Sequence, residues 1–555
     1  MTDARSFHEA TNHHPEDIHA APDRDSTTRP PPEKRYADRP VVELDGIAPP
    51  WSSTLSLLTE TRTDPRPDAA GPASDRVDAE TVATLCYEAS GITSVVERDG
   101  APYAFRAASC TGKLYHVECY VVCGDLDGID AGVYHFDPTR FGLDAIRTGD
   151  VRNALATAVG DPSTGSRPAE RVSNAPVTVV TTSHWWRNAW KYADRTYRHA
   201  FWDSGTVLAN LLAAAHGCSL PADVVAGFAD DQVARLLGVD PTEEGPTAVV
   251  PIGDGRSAPA STTLEAIDPS IESPTNEAVS VSAIRDAWTA SSLTDGSDAD
   301  EWRDRVRAFR SDPSRGRNGT GSEPVGSRDG HGPPAGDSPA QTASGATDEL
   351  ATGGTTERID FAPADPATAG AHPFHSVVLR RGSCRDYAND GPTKRQVATV
   401  LDRATRGVPG DWNGGNADHL SFLDAYVLAT GVEGLPDGSY RYRPATDRLG
   451  RLGDVDRETK AHLALDQPWA GDAHVTVYLL ADLDAIVDSL GNRGYRLAHL
   501  EAGLTLGRLY LATYAHRDLG GLGLTFFDDL VTEHFEPAAS GRAPMTSFAF
   551  GRRSD

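Results

Sequence analysis

The sequence predicts an α+β protein built from two copies of one domain, joined by a low-complexity tether and clasped as a pseudo-dimer within a single chain. Three observations carry that prediction. The first is length, because 555 residues exceed what one hydrophobic core usually organises. The second is an internal repeat: Arg195-Thr196-Tyr197-Arg198, followed by Gly205, recurs as Arg493-Gly494-Tyr495-Arg496, followed by Gly503. At the same offset of 298, Phe228-Ala229-Asp230-Asp231 recurs as Phe526-Phe527-Asp528-Asp529, and Gly253 recurs as Gly551. Upstream, the turn Gly128–Tyr134 matches Gly434–Tyr440 at an offset of 306, an ordinary change in loop length. The third is composition. Residues 257–370 shift to Ser, Gly, Pro, Thr and Asp, a mixture that cannot offset its ordering entropy by burial. Two copies on one flexible tether make a single-chain version of a two-fold dimer.

Taken in order, residues 1–50 are polar and rich in His, Asp and Pro, which predicts an extended arm and not a core element. The first copy spans 51–256. Within it, Val82–Ser90 has the spacing of an amphipathic helix, Leu114–Cys123 and Val177–Thr182 read as buried strands, and Tyr197–Gly217 reads as a long apolar helix ended by its glycine. Residues 257–370 read as a disordered linker in which only the stretch Ala283–Phe309 has helical spacing. The second copy spans 371–555, with ordered patterning resuming near His375.

The formal net charge is −28, and arginine outnumbers lysine 47 to five. A surface so acidic repels nucleic acid and anionic membranes, so neither is expected as a partner. The composition instead matches the solvation habit of a halophilic, salt-loaded cytosol, where salt screens self-repulsion. Six cysteines are scattered without paired zinc-ligand spacing. The His-rich arm offers His13, His14 and His19 without supporting carboxylate or thiol geometry, so no metal is expected. The N-terminal stretch lacks a signal pattern and no apolar run approaches the ~20 residues of a bilayer span. A cytoplasmic protein is the expectation.

Several motifs carry chemistry. Arg380-Arg381-Gly382-Ser383-Cys384-Arg385-Asp386-Tyr387 precedes a helix, Gly521 and Gly523 precede Phe526-Phe527-Asp528-Asp529, and the chain closes on Gly551-Arg552-Arg553. In this order they resemble the nitroreductase family. That resemblance implies FMN as cofactor, with Arg381, Ser383, Arg385, Arg552 and Arg553 cradling its phosphate and ring edge beside the two glycines. Guanidinium forks and a hydroxyl suit phosphate oxygens. The first copy resembles the narrower SagB-type family of thiazole and oxazole synthase dehydrogenases, through the segment Pro32–Tyr36, the run Arg106–Tyr115, the turn Gly128–Tyr134, and Lys191-Tyr192 ahead of Arg195. Where that family has Pro-Ser-Ala-Gly, this chain has Ser109-Cys110-Thr111-Gly112.

The two copies differ in complementary ways. The second keeps the arginine cradle, whereas the first has Arg62 and Arg66 around Asp64, and Asp254-Gly255 after Gly253. The first keeps the loop bearing Arg106, Ser109, Cys110 and Gly112, against which the second places Trp412–Asn416. One FMN per chain is therefore expected, its phosphate held by the second domain and its ring and substrate met by the first. Azoline oxidation needs a base for the ring proton, a role the resemblance gives to Lys191 and Tyr192; an ammonium beside a phenol favours phenolate. The plain alternative is a surface lysine beside a packing tyrosine. Cys110 reads as a small residue near the flavin more than as a redox thiol. Arg195, Arg198, Arg493 and Arg496 read as buried structural pairs. The expected partners are a peptide or small-molecule substrate and a cyclodehydratase, the alternatives being an NAD(P)H-dependent nitro or quinone reductase, or a non-catalytic flavin-binding scaffold.

Overall fold

The computed structural model describes residues 3–18, 28–59, 77–98, 100–260, 264–272, 281–312, 358–364, 372–414 and 420–554. Each half is an antiparallel sheet sided by helices. The first sheet runs Val41–Glu43, Gly142–Thr148, Gly132–Asp137, Val117–Cys123, Val177–His184 and Glu244–Ile252. The second runs Leu519–Leu524, Ala543–Arg552, Val475–Ala481, Leu423–Ala429, Gly438–Arg443, Arg448–Gly453 and Arg358–Asp360. Every residue of Val117–Cys123 and of Val475–Ala481 is buried, so both faces of the central strands are covered, as their mostly apolar runs require. Each sheet ends on a three-residue strand drawn from the segment upstream of its own copy.

The halves meet along two long helices, Thr196–Gly217 and Asn492–Ala515. A Cβ on Gly205 would lie 2.3 Å from the backbone carbon of Gly503, and one on Gly503 would lie 2.5 Å from the carbonyl oxygen of Trp202. Repeat-related glycines therefore mark the crossing, where only the absence of side chains lets the backbones touch. The repeat-related charges are exchanged across the seam. Arg195 and Arg198 of the first copy bind Asp528 of the second at 2.9 and 2.8 Å. Arg493 and Arg496 of the second bind Asp230 of the first, the latter at 2.6 Å. Burial pushes the Asp528 carboxyl up, but the two guanidiniums outweigh it and hold the group below its ordinary value.

Two segments depart from the sequence reading. The arm is not simply extended: Ala4–Ala10 is a helix. Phe7 sits 5.4 Å from the ring of Tyr197 and 6.4 Å from that of Tyr495, and the Thr11 side chain and backbone accept from Arg198 and Arg195. Ala4, Phe7, His8 and Thr11, buried at helical spacing, suffice there, although the segment is otherwise polar. Nor is all of 257–370 a disordered tether. Ser282–Ala290 and Gly296–Ser311 are helices with Ile284, Trp288, Trp302 and Val306 fully buried. Trp288 accepts from Arg496 at 2.6 Å, and Arg303 pairs with Asp411 at 2.8 Å, so this stretch fastens one half to the other. The low-complexity run 313–357 lies outside the described residues.

Lys460 is fully buried beneath the second sheet, donating to Thr430 Oγ1 at 2.6 Å and to the Ala473 carbonyl. Burial pulls its ammonium down to about 7. The folded state then binds fewer protons than the unfolded chain between about pH 7 and 10.5, so stability from this group is complete above that window and is lost as pH falls through it. Thermal unfolding of the wild type is expected to shift upward from pH 7.5 to 10 more steeply than that of Lys460→Met.

Candidate active site at the seam

The hairpin Ile92–Arg98 and Ala101–Arg106 delivers the chain into the loop 107–112, which sits against the second half. Arg381, just past the helix Phe374–Arg380, donates from Nε to the Ala107 carbonyl at 2.8 Å. Its Nη2 donates to the carbonyls of Arg106 and Ala108 at 2.8 and 3.1 Å, and its guanidinium lies 5.5 Å from the ring centre of Tyr510. The Tyr510 hydroxyl accepts from the Gly523 amide at 2.7 Å and is hydrogen-bonded to Ser109. Arg381, Gly523 and Ser109, drawn from opposite halves, thus converge on one tyrosine.

The Lys191-Tyr192 pair joins the same loop from the other side. It ends the helix Trp185–Tyr192, and the Tyr192 hydroxyl lies 2.6 Å from where a Cβ on Gly112 would stand. With φ at +63° as well, position 112 requires glycine twice over. The Lys191 ammonium lies 5.1 Å from the Tyr192 ring centre, and that ring packs edge-on to His199 at 4.7 Å. Asp203, on the first seam helix, holds the loop by accepting from the Thr111 amide at 2.8 Å, from Thr111 Oγ1 at 2.9 Å and from Cys110 Sγ at 3.2 Å. Burial, and then Asp203, push the Cys110 thiol well above its ordinary value, so Cys110 stays protonated near neutral pH and is no ready redox thiolate.

The arginine candidates are split. Arg553 lies across Gly520, where a Cβ would come within 2.7 Å of its Cδ and 2.8 Å of Cys384 Cβ. That puts it beside the segment bearing Ser383 and Arg385, both exposed. Burial, then Arg553, with Arg517 adding and Tyr514 and Asp518 opposing, pull Arg380 below the ordinary arginine value. Gly520 and Gly521 leave that ground free of side chains. Arg552 instead faces Asp390 and, at 3.2 Å, Asp518, because neighbouring strand residues point to opposite faces. Arg385 lies 5.3 Å over the Trp469 ring.

At the related place in the first half, Asp223 and Asp254 stand at the positions of Gly521 and Arg552, and Arg171 binds both, Asp223 at 2.9 Å. Leu212 replaces Tyr510, and Leu57 and Leu58 line the cleft beside it. Arg62 and Arg66 lie outside the described residues, as do Gly415 and Asn416. The sequence reading missed Tyr510, Asp203 and His116. One signal for Asp203 was legible, since a carboxylate, Glu501, recurs at the offset of 298.

Comparison with known proteins names the scaffold. Residues 73–254 match the Nitroreductase family. The whole chain also superposes on a solved structure from Anabaena variabilis described as a nitroreductase, with a TM-score of 0.68, 21% identity and full coverage of both chains. Both halves thus share the mixed α+β nitroreductase fold. A Methanocaldococcus jannaschii protein named as a nitroreductase is 26% identical over 169 residues, which is 30% of this chain and 77% of that protein. The trifolitoxin-processing protein TfxB of Rhizobium leguminosarum bv. trifolii is 27% identical over 173 residues, 31% of this chain. That match spans 45% of TfxB, under half its length. Members of the nitroreductase family are generally FMN-dependent oxidoreductases. Among the described residues no helix is long and apolar enough to cross a membrane.

Proposed function

We propose that the chain is an FMN-dependent oxidoreductase holding one flavin between its halves, and that it dehydrogenates azoline rings in a ribosomally made peptide. The observation that carries the reading is Arg381 of the second half bonding the carbonyls of residues 106–108 of the first, where Ser109 and Gly523 share Tyr510. The donor set fits FMN. Arg380, Arg553 and the exposed Arg385 and Ser383 gather positive charge and a hydroxyl beside side-chain-free Gly520 and Gly521, and Arg381 keeps its Nη1 for an anion. Asp223 and Asp254 at the related place in the first half repel a phosphate, which is why one flavin and not two is expected.

FMN, when bound, supplies a two-electron acceptor. The chain's own contribution is geometric and protonic. Lys191 and Tyr192 stand against the loop at Gly112, and there would take the proton from the azoline carbon beside its carbonyl, while the seam's buried helices keep water away. The role of TfxB in trifolitoxin processing supports a peptide as substrate. A SagB-type dehydrogenase of this kind would work beside a cyclodehydratase. The second reading, an NAD(P)H-dependent nitro or quinone reductase, is favoured by the name of the M. jannaschii relative.

Flavin absorbance per polypeptide tests the reading. One FMN per chain is expected, with Arg381→Ala weakening its binding at least about tenfold through loss of charge-assisted hydrogen bonds. Lys191→Ala should keep the flavin and lose azoline oxidation. Two flavins per chain, or NAD(P)H-driven nitro reduction untouched by Lys191→Ala, would overturn it.

A further inference from the structure

Beneath the loop, Cys110 Sγ, His116 Nε2 and an oxygen of Asp203 lie within 4.8 Å of one another. We propose that they form a site for one divalent transition-metal ion of the zinc type. His116 Nε2 is 2.8 Å and Cys110 Sγ is 3.2 Å from Asp203 Oδ2, so an ion at ~2.0–2.3 Å from each would replace these hydrogen bonds with modest movement of the three side chains. Mixed sulfur, nitrogen and oxygen donors suit zinc, and three protein ligands with one open position is its catalytic pattern. A small cavity bounded by Ser90, Arg106, Ser109 and Val207 adjoins Cys110 and Asp203, where a solvent ligand would sit.

The surroundings are those of ligands. The Tyr115 amide donates to Cys110 Sγ at 3.1 Å, an orienting bond that suits a thiolate. His116 Nδ1 meets Ser183 Oγ at 2.9 Å. The hydroxyl can accept as well as donate, so an Nδ1–H tautomer leaves Nε2 for the metal, as outer partners of metal-bound histidines do. Asp203 and His116 are buried, and among the described residues the four hydrogen bonds reaching the Asp203 carboxylate include none from Lys or Arg. A thiolate and a carboxylate together carry the charge that a divalent cation cancels. Binding balances as one cation in and the Cys110 thiol proton out to solvent.

The second half is the control that the molecule itself provides. Glu501, related to Asp203 by the offset of 298, accepts from the amides of Ser421 and Phe422 at 2.8 and 2.9 Å. A carboxylate alone therefore latches the loop there. At the offset of 306 the positions of Cys110 and His116 are Asn416 and Phe422, so the thiol and imidazole add something that latching does not need.

The test is metal analysis of the full chain, stripped with chelator and then dialysed against Zn²⁺ or Co²⁺, with flavin content measured on the same samples. Expected are one Zn²⁺ per chain, a thiolate-to-Co²⁺ charge-transfer band, and loss of both in Cys110→Ser, which keeps a hydroxyl donor for Asp203 and hence the latch. His116→Gln should weaken zinc at least about tenfold, and Ser183→Ala by about tenfold. Zinc content that is unchanged in Cys110→Ser, or cobalt binding without the thiolate band, overturns the site and points to ligands elsewhere in the chain. Because zinc is counted separately from flavin, failure of the flavin reading leaves this result standing, and the reverse.

Discussion

Asp528→Ala is expected to destabilise the protein by about 3–5 kcal/mol, the usual cost of removing one partner from a buried ion pair. The carboxylate is fully buried and serves two guanidiniums, Arg195 and Arg198, which themselves are at most 3% exposed. Its loss strands both charges in the seam, with only neutral acceptors of the arm remaining: the Thr11 and His8 carbonyls, the Thr11 hydroxyl and the Asn12 side-chain carbonyl. Since donors and acceptor belong to different halves, denaturant unfolding should show the halves separating before either unfolds. Asp484→Ala, which removes an exposed partner of Arg5, should cost less than about 1 kcal/mol. Equal midpoints for the two variants would refute the interlocked seam.

Gly503→Val should be the other severe change. In an exposed helix, replacing glycine gains up to about 1 kcal/mol in propensity over much of the scale. Here the new Cβ would stand 2.5 and 2.6 Å from the carbonyl oxygens of Trp202 and Phe201. Backbone cannot swing aside as a side-chain tip does, so the helices must part, at a cost of about 1–3 kcal/mol or more. The crossing holds Thr206, which donates to the Ser109 carbonyl at 2.8 Å, so flavin content should fall with stability. Gly453→Ala, where nothing stands within 4 Å, is the matched control. A Gly503→Val protein with wild-type midpoint and flavin would count against the seam as drawn.

The repeat was readable because the residues that build the seam are few and chemically distinctive. Arg195, Arg198, Gly205 and Asp230 recur at one offset, and each turns out to touch its counterpart's half. Helix Tyr197–Gly217 was legible almost to its ends, found as Thr196–Gly217. The helical arm was not, and the stretch 282–311 was legible only as helical spacing over Ala283–Phe309, not as a packed element. Phe7, Trp288 and Trp302 sit in polar surroundings along the chain, and their burial depends on surfaces that exist only once the halves have joined.

The site divides in the same way. Motif order alone offered Arg381, Ser109, Gly112, Gly523 and the Lys191-Tyr192 pair as candidates. It could not separate Arg552 from Arg553, which the strand sends to opposite faces, nor find Tyr510, whose neighbours come from three distant segments. Asp203 and His116 stand 87 residues apart, and their approach is invisible to any spacing rule. What the chain order determined was therefore the doubling of one domain and the chemical types at its centre, because those rest on identity and periodicity. Which groups meet, and which are turned away to solvent or to a carboxylate, was decided by the packing of two helices at a glycine crossing, since contact depends on distance in space and not along the chain.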